Sequence, residues 1–223
     1  MKILDNVTLC IIDCKNYDNA AKSIIHSGSM CDISFKEKIF FSDIKHEKLE
    51  KHNIRYENIY KLNNNREYDN FILKELYKHI ETDFMLIIQH DGTIYKPNSW
   101  TDDFLKFDYI GAPWTNPPKY KNCVGNGGFS LRSKKFMETA ASILDFSYCE
   151  EPEDVYLCET LYDQMTFHGF RYSDIFLASN FSTEAITKHT NINSFGIHVP
   201  PVNYLHMHNN FIIDMRLNIE KSW

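Results

Sequence analysis

The hydrophobic pattern begins with Val7-Thr8-Leu9-Cys10-Ile11-Ile12, a short apolar run closed by Asp13, which predicts a strand buried in a parallel sheet. A helix is predicted around Asn19 to Ser27, a second strand over Lys38 to Asp43, and a third within Ile54 to Leu62, giving a β-α-β type of opening. Between Glu67 and Ile80 the residues Tyr68, Phe71, Ile72, Leu76 and Ile80 fall on one helical face, and Thr82-Asp83 ends that helix. Phe84 to Ile88 is continuously apolar and runs into Gln89-His90-Asp91-Gly92. This is the pattern of a central strand that delivers polar groups at its carboxyl end, the edge where open α/β sheets bind ligands.

Farther along, Trp100 to Leu105 predicts a helical turn, followed by Tyr109-Ile110-Gly111-Ala112-Pro113-Trp114. Val124 to Ser133 combines a glycine-rich turn with a short strand, and Ser133 is placed to cap a helix packing through Phe136, Met137, Ala140, Ala141 and Leu144. Pro152 and Gly169 bound one more helix, with Val155, Cys158, Leu161, Tyr162 and Met165 as its apolar face. The tail passes through Ile175 to Ala178 and Phe195 to His198 before a last segment from Asn209 to Trp223. No repeat or low-complexity linker interrupts the pattern, so one α/β domain over residues 1–223 is expected, with a mostly parallel mixed sheet flanked by helices.

Composition narrows the partners. The chain has 43% hydrophobic and 24% charged residues and is rich in aromatics, as an ordinary globular protein with a substantial core can be. A net charge of −6 without a long basic run argues against nucleic acid, because phosphate neutralisation needs clustered Lys and Arg. The small groups Lys119-Tyr120-Lys121 and Arg132-Ser133-Lys134-Lys135 read as solvated surface or as an aid in holding a diphosphate. No signal-peptide pattern opens the sequence and no apolar stretch is long enough to span a bilayer, so the expectation is a soluble, cytoplasmic protein without a transmembrane segment. Six cysteines then read as buried or free thiols, Cys10 and Cys14 among them, rather than as disulfides or a metal site.

Four features can carry chemistry. Asp91, followed by Gly92, stands where a carboxylate can reach a divalent cation, though Asp-Gly is also an ordinary turn. Gly125-Asn126-Gly127-Gly128 allows close backbone approach to a ligand, or makes a structural hairpin, and matches neither a Walker loop nor a dinucleotide fingerprint. Glu150-Glu151-Pro152-Glu153-Asp154 places acids at a helix start, where the dipole favours them and keeps Asp154 ionised near neutral pH, as a general base must be. His198, and the pair His206 and His208, are candidate metal ligands.

In order along the chain, Gln89-His90-Asp91, then Gly125-Asn126-Gly127-Gly128-Phe129-Ser130-Leu131-Arg132-Ser133, then Glu153-Asp154-Val155-Tyr156-Leu157 resemble the GT-A glycosyltransferases. The likeness is strongest to a poorly characterised glycosyltransferase family with a Gln-x-Asp-Gly strand end, an Ile-Gly-Ala-Pro-Trp segment and a Gly-Asn-Gly-Gly-Phe-Ser-Leu-Arg-Ser block. More remotely, it is similar to the fringe-like β-1,3-glycosyltransferases.

The resemblance implies a Rossmann-like GT-A fold that moves a sugar from a nucleotide-diphosphate donor, with a UDP-sugar expected, to a hydroxyl of a glycan, protein or small molecule, with inversion. It implies that Asp91 ends the motif holding Mn²⁺ or Mg²⁺, with His198 as a further ligand, while Glu153-Asp154 supply the base, Asp154 taking the proton. Gln89 stands where such enzymes carry the first acid, and an amide offers no negative charge to a cation. Asp13, Asp43, Gln89, His90, Gly127, Gly128 and Arg132 are the expected donor contacts, and Trp114 and Asn126 the expected acceptor contacts. The rival readings are a catalytically silent nucleotide-sugar or glycan binding module on the same fold, and a hydrolase centre built on His198, His206 and His208. The donor sugar, the acceptor and the oligomeric state are left open.

Overall fold

A computed structural model describes residues 1–114, 123–143, 151–185 and 188–198. The elements, in order, are β1 (Lys2–Ile12), α1 (Tyr17–Ile25), β2 (Ile33–Ser42), β3 (Arg55–Asn58), α2 (Asn65–Lys74), β4 (Phe84–Ile88), β5 (Gly92–Ile94), β6 (Tyr109–Ile110), β7 (Phe129–Ser133), α3 (Lys134–Ile143), α4 (Glu153–Val155), α5 (Tyr162–Phe167), α6 (Ile175–Phe181), β8 (Ser182–Thr183) and β9 (Gly196–His198). Six strands form the main sheet in the order β3-β2-β1-β4-β7-β6. β1 pairs in parallel with β2 and β4, β2 with β3, and only β7 runs against its neighbours. The architecture is the expected mostly parallel mixed sheet with helices on both faces.

Period-two alternation explains why both faces are covered. Leu9, Ile11, Phe40, Leu86, Ile88, Phe129 and Leu131 turn into one core with α1 and α6. Cys10, Ile12, Ile39, Phe41, Met85 and Ile87 turn into a second core with Phe71, Ile72 and Leu73 of α2, Phe136 and Met137 of α3, and Met165 of α5. Fully burying such a side chain contributes roughly 1.5–3 kcal/mol, so the sheet is stabilised from both sides.

Two pairings set the site. Because β7 is antiparallel to β4, with Ile88 opposite Phe129, the glycine block just before β7 arrives at the carboxyl end of β4, beside Gln89. A small second sheet, β5-β9-β8, places Gly92 opposite His198, which joins Asp91 to a residue more than a hundred positions away. Phe129, Phe181, Phe195, Phe104 and Trp100 pack edge to face or tilted behind β9, at centroid separations of 5.0 Å for Trp100–Phe195 and 5.8 Å for Phe129–Phe195.

Several predicted boundaries move. β1 and β2 extend farther toward their amino ends than the apolar runs suggest, because their outer residues pair with each other from Lys2 opposite Ile33 onward. The predicted 67–80 helix is α2 followed by a 3-10 turn, Leu76–His79. The helix read between Pro152 and Gly169 is interrupted by a π-helical turn, Tyr156–Thr160, in which Leu161 N donates to Tyr156 O at 2.9 Å. The extra residue in that turn rotates the buried face, so Tyr156 and Leu157 are buried whereas Val155 and Tyr162 are half-buried. Ser133 caps α3 as expected, its hydroxyl accepting Phe136 N at 3.1 Å. Among the described residues, no helix is long and apolar enough to cross a membrane, and the cysteines are free thiols.

Candidate functional site

A cavity of about 380 Å³ opens at the carboxyl edge of the main sheet. Its walls come from the end of β1, the first turn of α2, the end of β4, the glycine block, the start of α4, and the β8 and β9 region.

One wall is built around Arg132. Alternation in β7 puts Arg132 on the face opposite Phe129 and Leu131, across from Met85, where the sheet is covered and the guanidinium has no route to solvent. It donates to Glu153 through both terminal nitrogens at 2.6 and 2.8 Å, and to Ser130 Oγ through Nε at 3.0 Å, with its carbon 4.9 Å from the Tyr109 ring centroid. The expected contact of Arg132 with the donor is therefore corrected: the residue is fully buried and does not line the cavity. Glu153 is corrected with it, because a carboxylate held at both oxygens by Arg132 is not available as a base.

Asp154 remains as the candidate base on that wall. Its Oδ2 accepts Gly127 N at 2.9 Å and its Oδ1 accepts Val155 N at 2.8 Å, which fixes the carboxyl at the cavity surface. Burial and then the Glu153 charge raise its pKa to about 7, against the opposing pull of the two N–H donors and Arg132. The helix-dipole expectation that Asp154 is simply ionised at neutral pH is thus corrected, since desolvation outweighs the dipole in a helix of three residues.

The opposite wall is a chain of alternating carboxylates and imidazoles. Glu184 Oε1 lies 3.2 Å from His198 Nδ1, and His198 Nε2 lies 3.2 Å from Asp91 Oδ1. His90 Nε2 is 4.0 Å from Asp91 Oδ2, and its Nδ1 is 3.3 Å from Asp13 Oδ2. Asp13 Oδ1 in turn accepts Lys15 N and Asn16 N at 2.7 and 2.6 Å. Burial alone would raise Asp13 and Asp91 and lower both histidines, but the partners win, so both carboxyls lie below their usual range, His90 above it, and His198 at about 10. Asp91 itself is largely buried and stands behind His90 and His198, which line the cavity. Among the described residues no group of three or more His, Cys, Asp or Glu is gathered to hold a metal ion.

Gly127 and Gly128 line the cavity and also allow close packing behind it. A β-carbon at Gly127 would collide with Glu153 Oε1, and one at Gly128 with the His198 ring. The two glycines let both walls close on the loop between them. Asn126 is buried and its Oδ1 accepts Gly128 N and Phe129 N at 3.1 and 3.3 Å. That oxygen shapes the turn, and Asn126 lines the cavity.

Trp114 rests against Gly125 and Asp43 accepts from Tyr17 Oη at 3.0 Å, and neither lines the cavity. His206, His208, the Lys119-Tyr120-Lys121 group and the segment from Asn209 onward lie outside the described residues.

Residues absent from the sequence reading of the site are Tyr68 and Asp69 of α2 and Glu184 after β8. The helical spacing gave Tyr68 to the core, yet a helix that follows a parallel strand starts at the ligand-binding edge, and that was the available signal.

A family model described as "Protein of unknown function (DUF5672)" matches residues 50–198, more than half of the chain. The chain belongs to this family. The DUF5672 match runs from just before β3 to His198, the last residue of β9, and so includes Gln89 to Asp91, the glycine block, Glu153-Asp154 and Glu184, but not Asp13. No curated protein matches the chain. Among solved structures it is similar to a mannosyltransferase, PcManGT, from Pyrobaculum calidifontis in complex with GDP-Man and Mn²⁺, at a TM-score of 0.52 and 9% identity. The likeness covers 91% of this chain and 59% of that one, so this chain spans little more than half the length of the mannosyltransferase. What the likeness shows is the fold, a Rossmann-like GT-A type of glycosyltransferase fold.

Proposed function

We propose that this DUF5672 chain is an inverting glycosyltransferase in which Asp154 removes a proton from an acceptor hydroxyl as that oxygen attacks the anomeric carbon of a nucleotide-diphosphate sugar. The observation that carries the reading is Asp154 itself, a carboxyl pinned by two backbone N–H groups at a cavity wall with its pKa near 7, where proton transfer at neutral pH is most effective. The cavity sits at the sheet edge where a fold of this type binds ligands.

Among the described residues no three ligand side chains are gathered, and Asp91 and His198 would be the protein's share of a divalent-cation site. Asp91 Oδ1 and His198 Nε2 are paired directly at 3.2 Å, so a cation there would take the place of the proton between them, and Glu184 on His198 Nδ1 is the outer carboxylate that would orient the imidazole. Mn²⁺ or Mg²⁺ held there together with the donor diphosphate would neutralise the charge that grows on the leaving group. Asp13 and the backbone around Lys15 and Asn16 form the nucleoside end of the cavity in this reading. A UDP-sugar is the first donor to try, and GDP-mannose the second, because the similar solved structure holds it.

Gln89 favours the rival reading of a silent binding module, because its amide is turned to Tyr68 Oη at 3.0 Å and adds no charge to the cation site. Donor hydrolysis and transfer with Mn²⁺ decide between the two. Asp154→Asn is expected to lower turnover roughly 10²–10⁴-fold while nucleotide binding persists. A wild type that binds nucleotide sugars but never turns any of them over favours the silent module.

A further inference from the structure

The first turn of α2 faces the cavity without a part in the mechanism above. Tyr68 Oη accepts from Gln89 Nε2 at 3.0 Å, and Asp69 Oδ1 accepts Glu153 N at 3.3 Å. The helix thus reaches from the strand end that carries Asp91 to the segment that carries Asp154. In a direct displacement the anomeric carbon lies between the leaving diphosphate and the attacking oxygen, so the ring of the transferred sugar occupies the span that these two residues bridge.

We infer that Tyr68 and Asp69 recognise the hydroxyls of the transferred sugar and set donor-sugar specificity, Asp69 accepting through Oδ2 and Tyr68 donating its phenolic proton. The assignment rests on the glycosyl-transfer reading. Its chemistry follows from what each group has left to offer. A carboxylate presents about four acceptor positions, and among the described residues one long bond from Glu153 N is what Asp69 receives. A phenol that accepts from an amide keeps its own O–H to donate. Both residues line the cavity and are half-buried, so their capacity is directed at whatever enters. Burial, then the Glu153 charge, raise Asp69 to about 6, which leaves it an anionic acceptor above neutral pH. A site built to bond a hydroxyl discriminates strongly against a sugar that lacks it, because its own polar group is then left unpaired.

The test is calorimetric titration of the full chain with Mn²⁺, at about pH 7.5 so that Asp69 is ionised. The probes are UDP, GDP, UDP-glucose, UDP-galactose, UDP-N-acetylglucosamine and GDP-mannose, with wild type, Asp69→Asn, Asp69→Ala and Tyr68→Phe. One sugar donor is expected to bind wild type more tightly than its bare nucleotide. Asp69→Asn, which keeps an oxygen for Glu153 N, is expected to weaken that donor roughly 10–100-fold while leaving the bare nucleotide within about twofold. Tyr68→Phe is expected to act in the same sense with a smaller loss.

Variants that bind the donor as wild type does, or that lose nucleotide and donor in parallel with a lowered melting temperature, overturn the assignment. So does a wild type for which no donor exceeds its bare nucleotide. A wild type that binds neither nucleotides nor donors overturns the glycosyl-transfer reading itself, and the assignment with it.

Discussion

The two walls of the cavity treat charge in opposite ways. On the β7 and α4 wall, Arg132 and Glu153 are sealed from water and neutralise each other through two short bonds, and Asp154 is pinned by backbone N–H groups. On the β5 and β9 wall, Glu184, His198, Asp91, His90 and Asp13 alternate in sign over separations of 3.2 to 4.0 Å, with imidazoles at the surface. In the first arrangement every nitrogen of the Arg132 guanidinium has a partner, and Asp154 is given a fixed direction and a raised pKa. The second links its side chains through longer contacts, each imidazole lying between two carboxylates, so a group that lost one partner to an incoming ligand would keep another. In the proposed transfer, the wall with the tighter contacts stands beside the proton to be moved, and the wall with the longer ones beside the group that binds and leaves.

The largest expected effect comes from breaking the sealed wall. Arg132→Ala leaves Glu153 buried without its cationic partner, and removing one partner of such a pair costs about 3–5 kcal/mol. Denaturant unfolding of the variant is expected to show that loss, and Arg132→Met combined with Glu153→Leu to recover most of it. If Arg132→Ala unfolds at the wild-type denaturant concentration, the contrast between the walls is wrong.

Next in size is the pH dependence that the sealed wall imposes. Asp154 has a folded pKa of about 7 against the ordinary 3.8, so the folded state binds this proton more tightly than the unfolded state does. Its contribution to stability is full below about pH 4, declines as pH rises through the window between the two values, and is gone above about 7. The rise corresponds to roughly 4 kcal/mol at most. Asp154→Asn is therefore expected to lose activity yet to melt higher than wild type at alkaline pH, with the difference vanishing near pH 4. Paired melting curves across that window measure it, and parallel curves would show that Asp154 titrates normally.

How much of this was legible in the sequence follows the same division. The parallel strands, the α2 and α3 helices and the carboxyl-edge location of Gln89 to Asp91 were readable, because apolar runs and helical spacing report burial directly. Arg132 is not legible as core, because a lone charged residue in a strand looks like surface and only the cover on both faces of the sheet buries it. The same hidden pairing turned Glu153 from a candidate base into a structural partner of Arg132. His198 was read from chain order alone, since its approach to Asp91 depends on the pairing of two three-residue strands, β5 and β9, too short to leave a pattern. Glu184 left no signal, because only the pairing of Thr183 with Ile197 brings it alongside.

That last residue gives the smallest and most selective prediction. Glu184 touches neither Asp91 nor the β7 wall in the described contacts, and its bond to His198 Nδ1 sets which ring nitrogen is presented toward Asp91. Glu184 is a partly exposed carboxylate, 28% accessible at its side chain, so replacing it should disturb stability little. Orienting carboxylates of this kind typically change metal affinity 10–100-fold when lost. Glu184→Gln is accordingly expected to raise the Mn²⁺ concentration needed for half-maximal donor binding by about tenfold, with the melting temperature of the metal-free protein unchanged. A variant with unaltered Mn²⁺ response would mean that the β9 wall does not hold the cation. The exchangeable contacts of that wall would then serve the diphosphate directly, with His90 and His198 as its donors.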